Sequence, residues 1–283
     1  MGAVAPGRTV AIAGLGLIGL SVARAARRRW PSLRLVGIDM PDVLRHPAVA
    51  EALDVGAIDL QAARDADLVV LATPVDAAIG LLPELAGVVP SGTPVVDTCS
   101  TKRAITVAAR AAGIRGFVPG HPMAGGTASG PAGARADLFD GRPWLLVRHG
   151  SGEGFERRVR TFVEGLGATA VWLEDAAAHD RLMAAVSHLP QVVASALMAR
   201  VGEEAGEAGL AVAGAGLADT TRLAASPAAL WEGVLAHNAD QVAPLLRALA
   251  ADLDELADAL EEPGAVRRLF EAANRWKASG GPA

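Results

Sequence analysis

Cysteine is almost absent from this chain of 283 residues, since Cys99 is the only one. A single cysteine excludes an intrachain disulfide and a cysteine-based zinc site. Scarce cysteine is also typical of proteins in a reducing compartment. We therefore expect a cytoplasmic location.

Long hydrophobic runs and an excess of basic residues are missing as well. The apolar stretch Val10–Leu20 is too short, and too often interrupted by glycine, to span a bilayer. The first eight residues contain no apolar core of an export signal. The formal net charge is −5, whereas nucleic acids and acidic membranes favour basic surfaces. We therefore expect a small-molecule substrate, and neither a nucleic-acid nor a membrane partner.

Short apolar runs alternate with helical patterns through the first half of the chain. Thr9–Ala13, Leu33–Ile38, Leu68–Ala72 and Trp144–Val147 are typical of buried strands. This alternation predicts an α/β fold whose N-terminal part is a Rossmann-type, doubly wound parallel sheet. A glycine-rich stretch at 149–154 predicts a boundary between domains at residues 1–150 and 151–283.

The second half is almost wholly helical. After one strand-like run at 169–173, the pattern predicts helices over 176–204, 228–261 and 266–277, with a kink or break at Pro190. This indicates an all-helical C-terminal domain that packs on the sheet. The amount of apolar helix surface leads us to expect a homodimer.

A G-x-G-x-x-G motif follows the first strand and opens the first helix, the context in which it binds dinucleotides. Its residues are Gly14, Leu15, Gly16, Leu17, Ile18 and Gly19. Asp39 ends the second apolar run at roughly the 20-residue spacing expected of a ribose-binding carboxylate, which predicts NAD as the cofactor. A turn cap before Pro41 is the alternative role for Asp39, and Arg45 leaves NADP open.

Three polar positions follow apolar runs, where ligands gather at the carboxyl ends of parallel strands. They are Thr73 with Pro74, Ser100 with Lys102, and His121 in the stretch G-H-P-M-A-G-G. An imidazole titrates near neutrality, so His121 is the candidate general base of a hydride-transfer reaction. Ser100 is expected to hold the substrate hydroxyl or the nicotinamide, or else to cap the next helix.

Motifs along nearly the whole chain resemble the prephenate/arogenate dehydrogenase family of tyrosine biosynthesis. They are Gly14–Gly19, D-T-C-S-T-K at Asp97–Lys102, G-H-P-M-A-G at Gly120–Gly125, Ser129-Gly130, L-F-D-G-R-P-W at Leu138–Trp144, His179-Asp180, S-H-L-P at Ser187–Pro190, D-T-T-R-L-A at Asp219–Ala224 and Leu230-Trp231.

The resemblance implies NAD-dependent oxidative decarboxylation, with His121 as base and Ser100 orienting the reacting hydroxyl. Residues 1–150 would bind NAD, and residues 151–283 would bind substrate and dimerise. Arg222 would bind a substrate carboxylate through its guanidinium, unless it only forms a surface salt bridge. Four more residues would line the substrate pocket, although His188 and Trp231 also suit an ordinary core: Ser187, His188, Gln191 and Trp231.

Two positions depart from the family pattern. Gln191 stands where the family often has a second histidine, and Gly126-Thr127 replaces a commoner Thr-Glu or Ser-Glu pair. Glutamine cannot become cationic, so attraction for a substrate carboxylate is weaker. This slightly favours acceptance of arogenate, which carries an amino group where prephenate has a keto group.

Two other functions suit parts of the pattern. A β-hydroxyacid dehydrogenase or imine reductase would share the architecture, but such enzymes usually carry a catalytic lysine or aspartate on the long helix. Residues 179–197 contain Asp180 and no lysine. The other is a non-catalytic NAD-binding sensor, which has no need of Ser100, His121 and Arg222 together. His179-Asp180 resembles a metal-ligand pair, but no further ligand falls at a suitable spacing, so we expect no metal.

Overall fold

The computed structural model describes residues 5–125 and 130–279. Gly126, Thr127 and Ser129 of the motifs above lie outside the described residues. The chain forms two compact units, residues 1–238 and 239–283.

The main sheet of the first unit has six parallel strands. They are β1 (Thr9–Ala13), β2 (Arg34–Ile38), β3 (Val55–Ala57), β4 (Leu68–Leu71), β5 (Val95–Asp97) and β6 (Phe117–Val118). Their spatial order is β3-β2-β1-β4-β5-β6, with every neighbouring pair parallel. This is the strand order of a doubly wound dinucleotide-binding sheet, and it confirms the predicted fold class.

Helices cover both faces of this sheet, which explains why its strands are continuously apolar. They are α1 (Leu17–Arg29), α4 (Val75–Val88), α5 (Arg103–Ala111) and α6 (Glu153–Gly165). One core lies on the face of α1 and α6, where Leu20 and Phe162 are fully buried. The other lies on the face of α4 and α5 and includes Leu82 and Ile105.

The segment between β2 and β3 does not form one continuous helix. It contains two short helices, α2 (Pro41–Leu44) and α3 (Pro47–Ala50), each with proline in its first turn. Proline has no N–H to donate, so Pro47 begins a new helix instead of extending α2. The short strand β3 was missed because only three residues pair.

A second sheet of three strands carries the histidine motif. Its strands are β7 (Gly120–Pro122), β8 (Pro143–Val147) and β9 (Thr169–Leu173). β7 and β8 are antiparallel, whereas β8 and β9 are parallel, so the run at 144–147 does not extend the main sheet. Because β8 and β9 pair across residue 150, strand pairing favours a later boundary; the division into domains stays a prediction.

The helical part of the first unit begins with a long run. It contains α7 (Ala176–Met183), a π-helical turn (Ala184–His188) and α8 (Leu189–Leu210). Asp175 caps α7 by accepting a hydrogen bond from the Ala178 amide at 2.6 Å. Pro190 does not end the helical run, although it has no backbone N–H to donate. The turn before it, Ala184–His188, takes the wider π-helical form.

This run, Ala176–Leu210, is 35 residues long and passes a length and composition test for membrane-spanning helices. One such helix is weak grounds for a membrane protein, because long apolar helices of globular proteins pass the same test. Its residues His179, Asp180 and His188 are fully buried within the first unit.

The first unit ends with α9 (Ala215–Thr221), a 3₁₀ turn (Arg222–Ala225) and α10 (Ala228–His237). The second unit contains α11 (Ala239–Asp258) and α12 (Ala265–Ala278). The single helix predicted over 228–261 is therefore divided at Asn238, whose backbone leaves the helical region. On α12, Phe270 and Trp276 are exposed apolar side chains.

Candidate active site

A cavity of about 450 Å³ opens at the carboxyl ends of β1, β4 and β5, beside β7. It is the position at which a doubly wound sheet binds its ligands. The opposite wall comes from the start of α10 and the residues before it, including Ser226 and Leu230. Seven of the predicted site residues line the cavity: Gly16, Leu17, Ile18, Thr73, Pro74, Ser100 and His121.

The glycine motif has the geometry that a bound pyrophosphate needs. Gly14 has φ +92°, a conformation that favours glycine. A Cβ at Gly19 would lie 1.8 Å from the Gly14 carbonyl oxygen, so strand and helix approach as closely as the motif requires. Among the described residues, a Cβ at Gly16 would meet nothing within 4 Å, which leaves the N-terminus of α1 open to an anion.

Asp39 lies at the end of β2, next to the glycine motif. Its Oδ2 accepts a hydrogen bond from the Leu15 amide at 2.6 Å, and its Oδ1 accepts one from the Met40 amide at 2.7 Å. These bonds fix the carboxylate beside the loop. A ribose-binding role suits this position, and that role stays a prediction.

Thr73 adds a second feature that suits a dinucleotide. Its Oγ1 is buried at the cavity wall and has no hydrogen-bond partner among the described residues. A buried hydroxyl without a partner is costly unless a ligand satisfies it. Together with the open backbone at Gly16, it shows that the cavity suits a polar ligand that extends from the glycine motif.

Asp97 joins the loop of Ser100 to the strand of His121. Its Oδ1 accepts a hydrogen bond from the Gly120 amide at 2.9 Å, and its Oδ2 accepts one from the Cys99 amide at 3.0 Å and pairs with the Lys102 ammonium. All of these groups are buried. His121 therefore projects from an extended strand at a fixed point, as Pro122 predicts.

Asp180 of α7 caps the N-terminus of α5. Its carboxylate accepts hydrogen bonds from the Lys102 amide at 2.7 Å and from the Arg103 amide and Nε, each at 3.0 Å. Ser100 therefore does not cap this helix, since α5 begins after Lys102 without a side-chain cap of its own. Ser100 is one of the residues that line the cavity.

A buried chain of hydrogen bonds links His121 to Asp180. His121 Nδ1 lies 3.0 Å from His179 Nε2, and His179 Nδ1 lies 2.9 Å from Asp180 Oδ1. Burial holds the pKa of His121 well below its usual value, and neighbouring His179 and Lys102 lower it further. His121 is therefore a neutral imidazole at pH 7, the form that accepts a proton.

The pKa values of His179 and Asp180 are both lowered. Burial lowers the pKa of His179, against the attraction of Asp180. Burial alone would raise the pKa of Asp180, but hydrogen bonds from His179 and from the amides of Lys102 and Arg103 hold it below its usual value. At neutral pH the pair is therefore a neutral imidazole and a carboxylate.

His188 lies behind the site, where Asn238 holds it. The Asn238 amide nitrogen lies 3.2 Å from His188 Nδ1 and donates to the Asp180 carbonyl oxygen at 2.8 Å. The Trp231 ring meets the imidazole edge-on, with centroids 5.9 Å apart. Burial lowers the pKa of His188 to about 4. Neither His188 nor Trp231 lines the cavity, so their substrate roles stay predictions.

The remaining predicted substrate residues are not brought together at the cavity. Gln191 Nε2 donates to the Leu223 carbonyl oxygen at 2.8 Å, and its Oε1 accepts from the Ser226 hydroxyl at 3.3 Å. Gln191 thus anchors the turn that carries Arg222. Arg222 itself is exposed and has no described ion pair, and Ser187 is half-buried outside the cavity lining. Their roles also stay predictions.

Sequence reasoning missed several groups that organise the site. Asp97, Lys102, Arg103 and Asn238 received no role, although Asp97 and Lys102 belong to one of the motifs above. The dipeptide His179-Asp180 was noted as a family motif, as a possible metal-ligand pair and, for Asp180, as the aspartate of another dehydrogenase class, but not as a partner of His121. Its signal was the placement of two ionisable residues at the start of a long apolar helix, where burial perturbs them.

A larger groove of about 590 Å³ lies elsewhere, lined by Arg110, Arg115 and His149 among others. It contains none of the predicted site residues. The glycine motif, the buried Thr73 hydroxyl and His121 all meet at the smaller cavity, which is therefore the candidate active site.

Comparison with known proteins shows what the whole chain is similar to. The family profile described as "Prephenate dehydrogenase, nucleotide-binding domain" matches residues 22–172, and "Prephenate dehydrogenase, dimerization domain" matches residues 175–273. The prephenate dehydrogenase of Bacillus subtilis (strain 168) is 32% identical over 288 residues, covering 95% of this chain and 75% of its own.

Two further proteins are similar over most of the chain. The cyclohexadienyl dehydrogenase of Zymomonas mobilis is 33% identical over 261 residues, covering 89% of this chain and 88% of its own. The crystal structure of Aquifex aeolicus prephenate dehydrogenase with hydroxyphenyl propionate and NAD⁺ superposes with a TM-score of 0.87. It covers 97% of this chain and 99% of its own at 24% identity, which shows a shared fold.

Proposed function

Because the chain belongs to the prephenate dehydrogenase family, we propose that it catalyses the NAD-dependent oxidative decarboxylation of prephenate, arogenate or both. The observation that carries the proposal is the position of His121. Its neutral imidazole lines the cavity that also contains the open N-terminus of α1 and the Ser100 side chain. The names of the relatives, prephenate dehydrogenase and cyclohexadienyl dehydrogenase, support the substrate class.

The residues around the cavity have two roles, which are cofactor binding and proton transfer. Gly16 and the first amides of α1 would hold the pyrophosphate, and Asp39 would accept hydrogen bonds from the ribose hydroxyls. When bound, NAD⁺ supplies the acceptor for the hydride that leaves the hydroxyl-bearing ring carbon. Asp39 would disfavour a 2′-phosphate, so NAD is the proposed cofactor.

His121 removes the hydroxyl proton, and Ser100 holds the hydroxyl group in line. Oxidation at this carbon makes a carbonyl, and the bond to the ring carboxylate then breaks to release CO₂. Its electron pair aromatises the ring and leaves a phenolate oxygen, to which His121 returns the proton. The protein therefore contributes positioning and one reversible proton transfer, while aromatisation drives the reaction forward.

Arg222 is proposed to bind a substrate carboxylate. Its guanidinium is exposed, and its turn leads directly to Ser226 at the cavity wall. Gln191 holds this turn through the Leu223 carbonyl, so the glutamine that departs from the family pattern is proposed to act on substrate choice through Arg222's position. A guanidinium binds a carboxylate in a bidentate way, with orientation as well as charge.

We also propose a homodimer formed through residues 175–273, the part that matches the family's dimerization domain. Apolar side chains are exposed along it, among them Leu182, Val186 and Leu197 in the long helical run. Light scattering after gel filtration should give about twice the chain mass of 28.7 kDa. A monomer at micromolar concentration would contradict this.

The test of the function is an absorbance assay for NADH. Purified protein receives NAD⁺ or NADP⁺ with prephenate and, separately, with arogenate, and CO₂ release is measured in parallel. We expect NADH and CO₂ in equal amounts with at least one substrate, faster with NAD⁺. No turnover with either substrate would refute the proposal and favour a hydroxyacid dehydrogenase or a silent NAD-binding protein.

A further inference from the structure

We propose that Asp180 and His179 set the tautomer of His121, so that its Nε2 is the unprotonated nitrogen that accepts the substrate proton. His179 is then a positioning residue that acts through His121. The inference rests on the proposed function for the identity of the base. The tautomer itself is a property of the free protein and is measurable without any substrate.

The geometry supplies a continuous path of hydrogen bonds. Asp180 Oδ1 lies 2.9 Å from His179 Nδ1, and His179 Nε2 lies 3.0 Å from His121 Nδ1. His179 and Asp180 are fully buried, and His121 is 8% exposed. Water therefore does not compete for these nitrogens, and each ring orientation is fixed by its partner.

The direction of every bond follows from Asp180. Its oxygens already accept three hydrogen bonds from Lys102 and Arg103, which keeps the carboxylate ionised and able only to accept. His179 must therefore carry its proton on Nδ1, so its Nε2 presents a lone pair. His121 must then carry its proton on Nδ1, which leaves His121 Nε2 as the basic nitrogen.

The same path stabilises the product of proton transfer. When His121 Nε2 takes the hydroxyl proton, the imidazolium keeps donating from Nδ1 to His179, and no proton has to leave His179. The Asp180 carboxylate lies beyond one intervening ring, that of His179. Burial and the Lys102 ammonium oppose that charge, and Asp97 pairs with the Lys102 ammonium. The same hydrogen bond from His121 Nδ1 to His179 is therefore present in both the neutral and the charged form of His121.

The direct test is the ¹⁵N spectrum of imidazole-labelled protein without substrate, with the His121 signals assigned by their loss in His121→Asn. Wild type should show His121 protonated at Nδ1 and unprotonated at Nε2. Free histidine prefers the opposite tautomer, so removal of the acceptor should invert the pattern. Wild-type His121 protonated at Nε2 would overturn the proposal.

We call the hydrogen-bond path Asp180–His179–His121 the relay. Two substitutions of His179 distinguish loss of the relay from a general loss of packing. In His179→Asn, the asparagine amide can donate to Asp180 as His179 Nδ1 does, but it is too short to reach His121. The tautomer of His121 should therefore invert, and kcat should fall about 10²-fold. The longer glutamine in His179→Gln offers its carbonyl oxygen to His121 Nδ1 and should keep the tautomer and most of kcat. Equal losses in both variants, or an unchanged tautomer in His179→Asn, would overturn the relay.

His149→Asn is the matched control, because His149 lies in the other groove. It should leave both the tautomer and kcat unchanged. The readouts also separate two kinds of failure. The predicted tautomer in a protein without dehydrogenase activity would refute the proposed function and leave the relay in place, whereas full activity with the opposite tautomer would refute the relay alone.

Discussion

The open backbone at Gly16 makes a sharp prediction for Gly16→Ala. Gly16 has φ −69° and ψ −159°, which alanine adopts without strain, and within the part of the chain that the structure describes the new methyl group would meet nothing within 4 Å beyond its chain neighbours. Alanine gains about 0.4–1 kcal/mol by restricting the unfolded chain. It loses a similar amount as a poorer N-cap than glycine. The free energy of unfolding should therefore change by less than about 0.5 kcal/mol.

Cofactor binding should respond very differently. The methyl group would occupy the space through which a pyrophosphate reaches the amides of α1. Loss of one charge-assisted hydrogen bond costs about 1.5–3 kcal/mol, which corresponds to an increase in the Kd for NAD⁺ of about 10- to 150-fold. Calorimetric titration with NAD⁺ measures this Kd, and thermal unfolding without NAD⁺ measures the stability.

Gly19→Ala is the comparison variant within the same motif. Its Cβ would lie 1.8 Å from the Gly14 carbonyl oxygen and 3.0 Å from Ala72 Cβ. The strand and helix would have to separate, at a cost of about 1–3 kcal/mol, so the Tm should fall by several degrees. A Gly16→Ala variant that binds NAD⁺ as wild type does, or that is less stable than Gly19→Ala, would contradict a pyrophosphate site at Gly16.

Three further predictions concern other parts of the site. Asp39→Asn should reduce the ratio of kcat/KM with NAD⁺ to that with NADP⁺ by at least about tenfold; an unchanged ratio would remove Asp39 from cofactor choice. Arg222→Ala should raise the substrate KM while kcat stays near wild type, and a loss confined to kcat would contradict its binding role. The pKa of His188 falls from 6.5 in the unfolded chain to about 4 in the folded protein. Below pH 6.5 the unfolded chain therefore binds a proton that the folded protein does not, and the free energy of unfolding declines as the pH falls. In urea unfolding, the free energy of unfolding should fall between pH 7 and pH 5 by about 2 kcal/mol less in His188→Gln than in wild type. The control Val234→Ala should lower that free energy equally at both pH values. A parallel pH response of His188→Gln and wild type would contradict the assigned pKa.

Local sequence patterns predicted the sheet and the glycine motif well. The motif at Gly14–Gly19 is a local pattern of glycines, and its open and crowded glycines lie where the pattern places them. His121 was recognisable because glycines surround it and Pro122 holds its backbone extended. These features are recognisable from residue types that lie close together in the chain.

The hydrogen-bond network behind His121 could not be predicted in the same way. Asp180 caps a helix that begins 78 residues earlier in the chain, and Asn238 is 58 residues from Asp180. Helical periodicity says which face of α7 is buried, but it does not say which helix end that face meets. For the same reason, the second sheet was missed, because β9 pairs with β8 across the whole of α6.

The position of Arg222 shows a different limit. A motif predicted a substrate-binding guanidinium, whereas the structure leaves the side chain exposed. Its neighbour Leu223 is held by Gln191, the residue that departs from the family pattern. A motif match specifies residue types, and the local packing of the turn decides where each side chain lies.

The proposed mechanism depends on His121 as the base of a dehydrogenase. The most direct measurement is kcat for His121→Asn, by NADH absorbance at saturating NAD⁺ and substrate, with NAD⁺ affinity measured on the same sample. We expect kcat to fall by about 10²–10⁴-fold while the Kd for NAD⁺ stays within about twofold of wild type, since the pyrophosphate site lies in the glycine motif. A variant that keeps the wild-type kcat would contradict the assignment of His121 as the base.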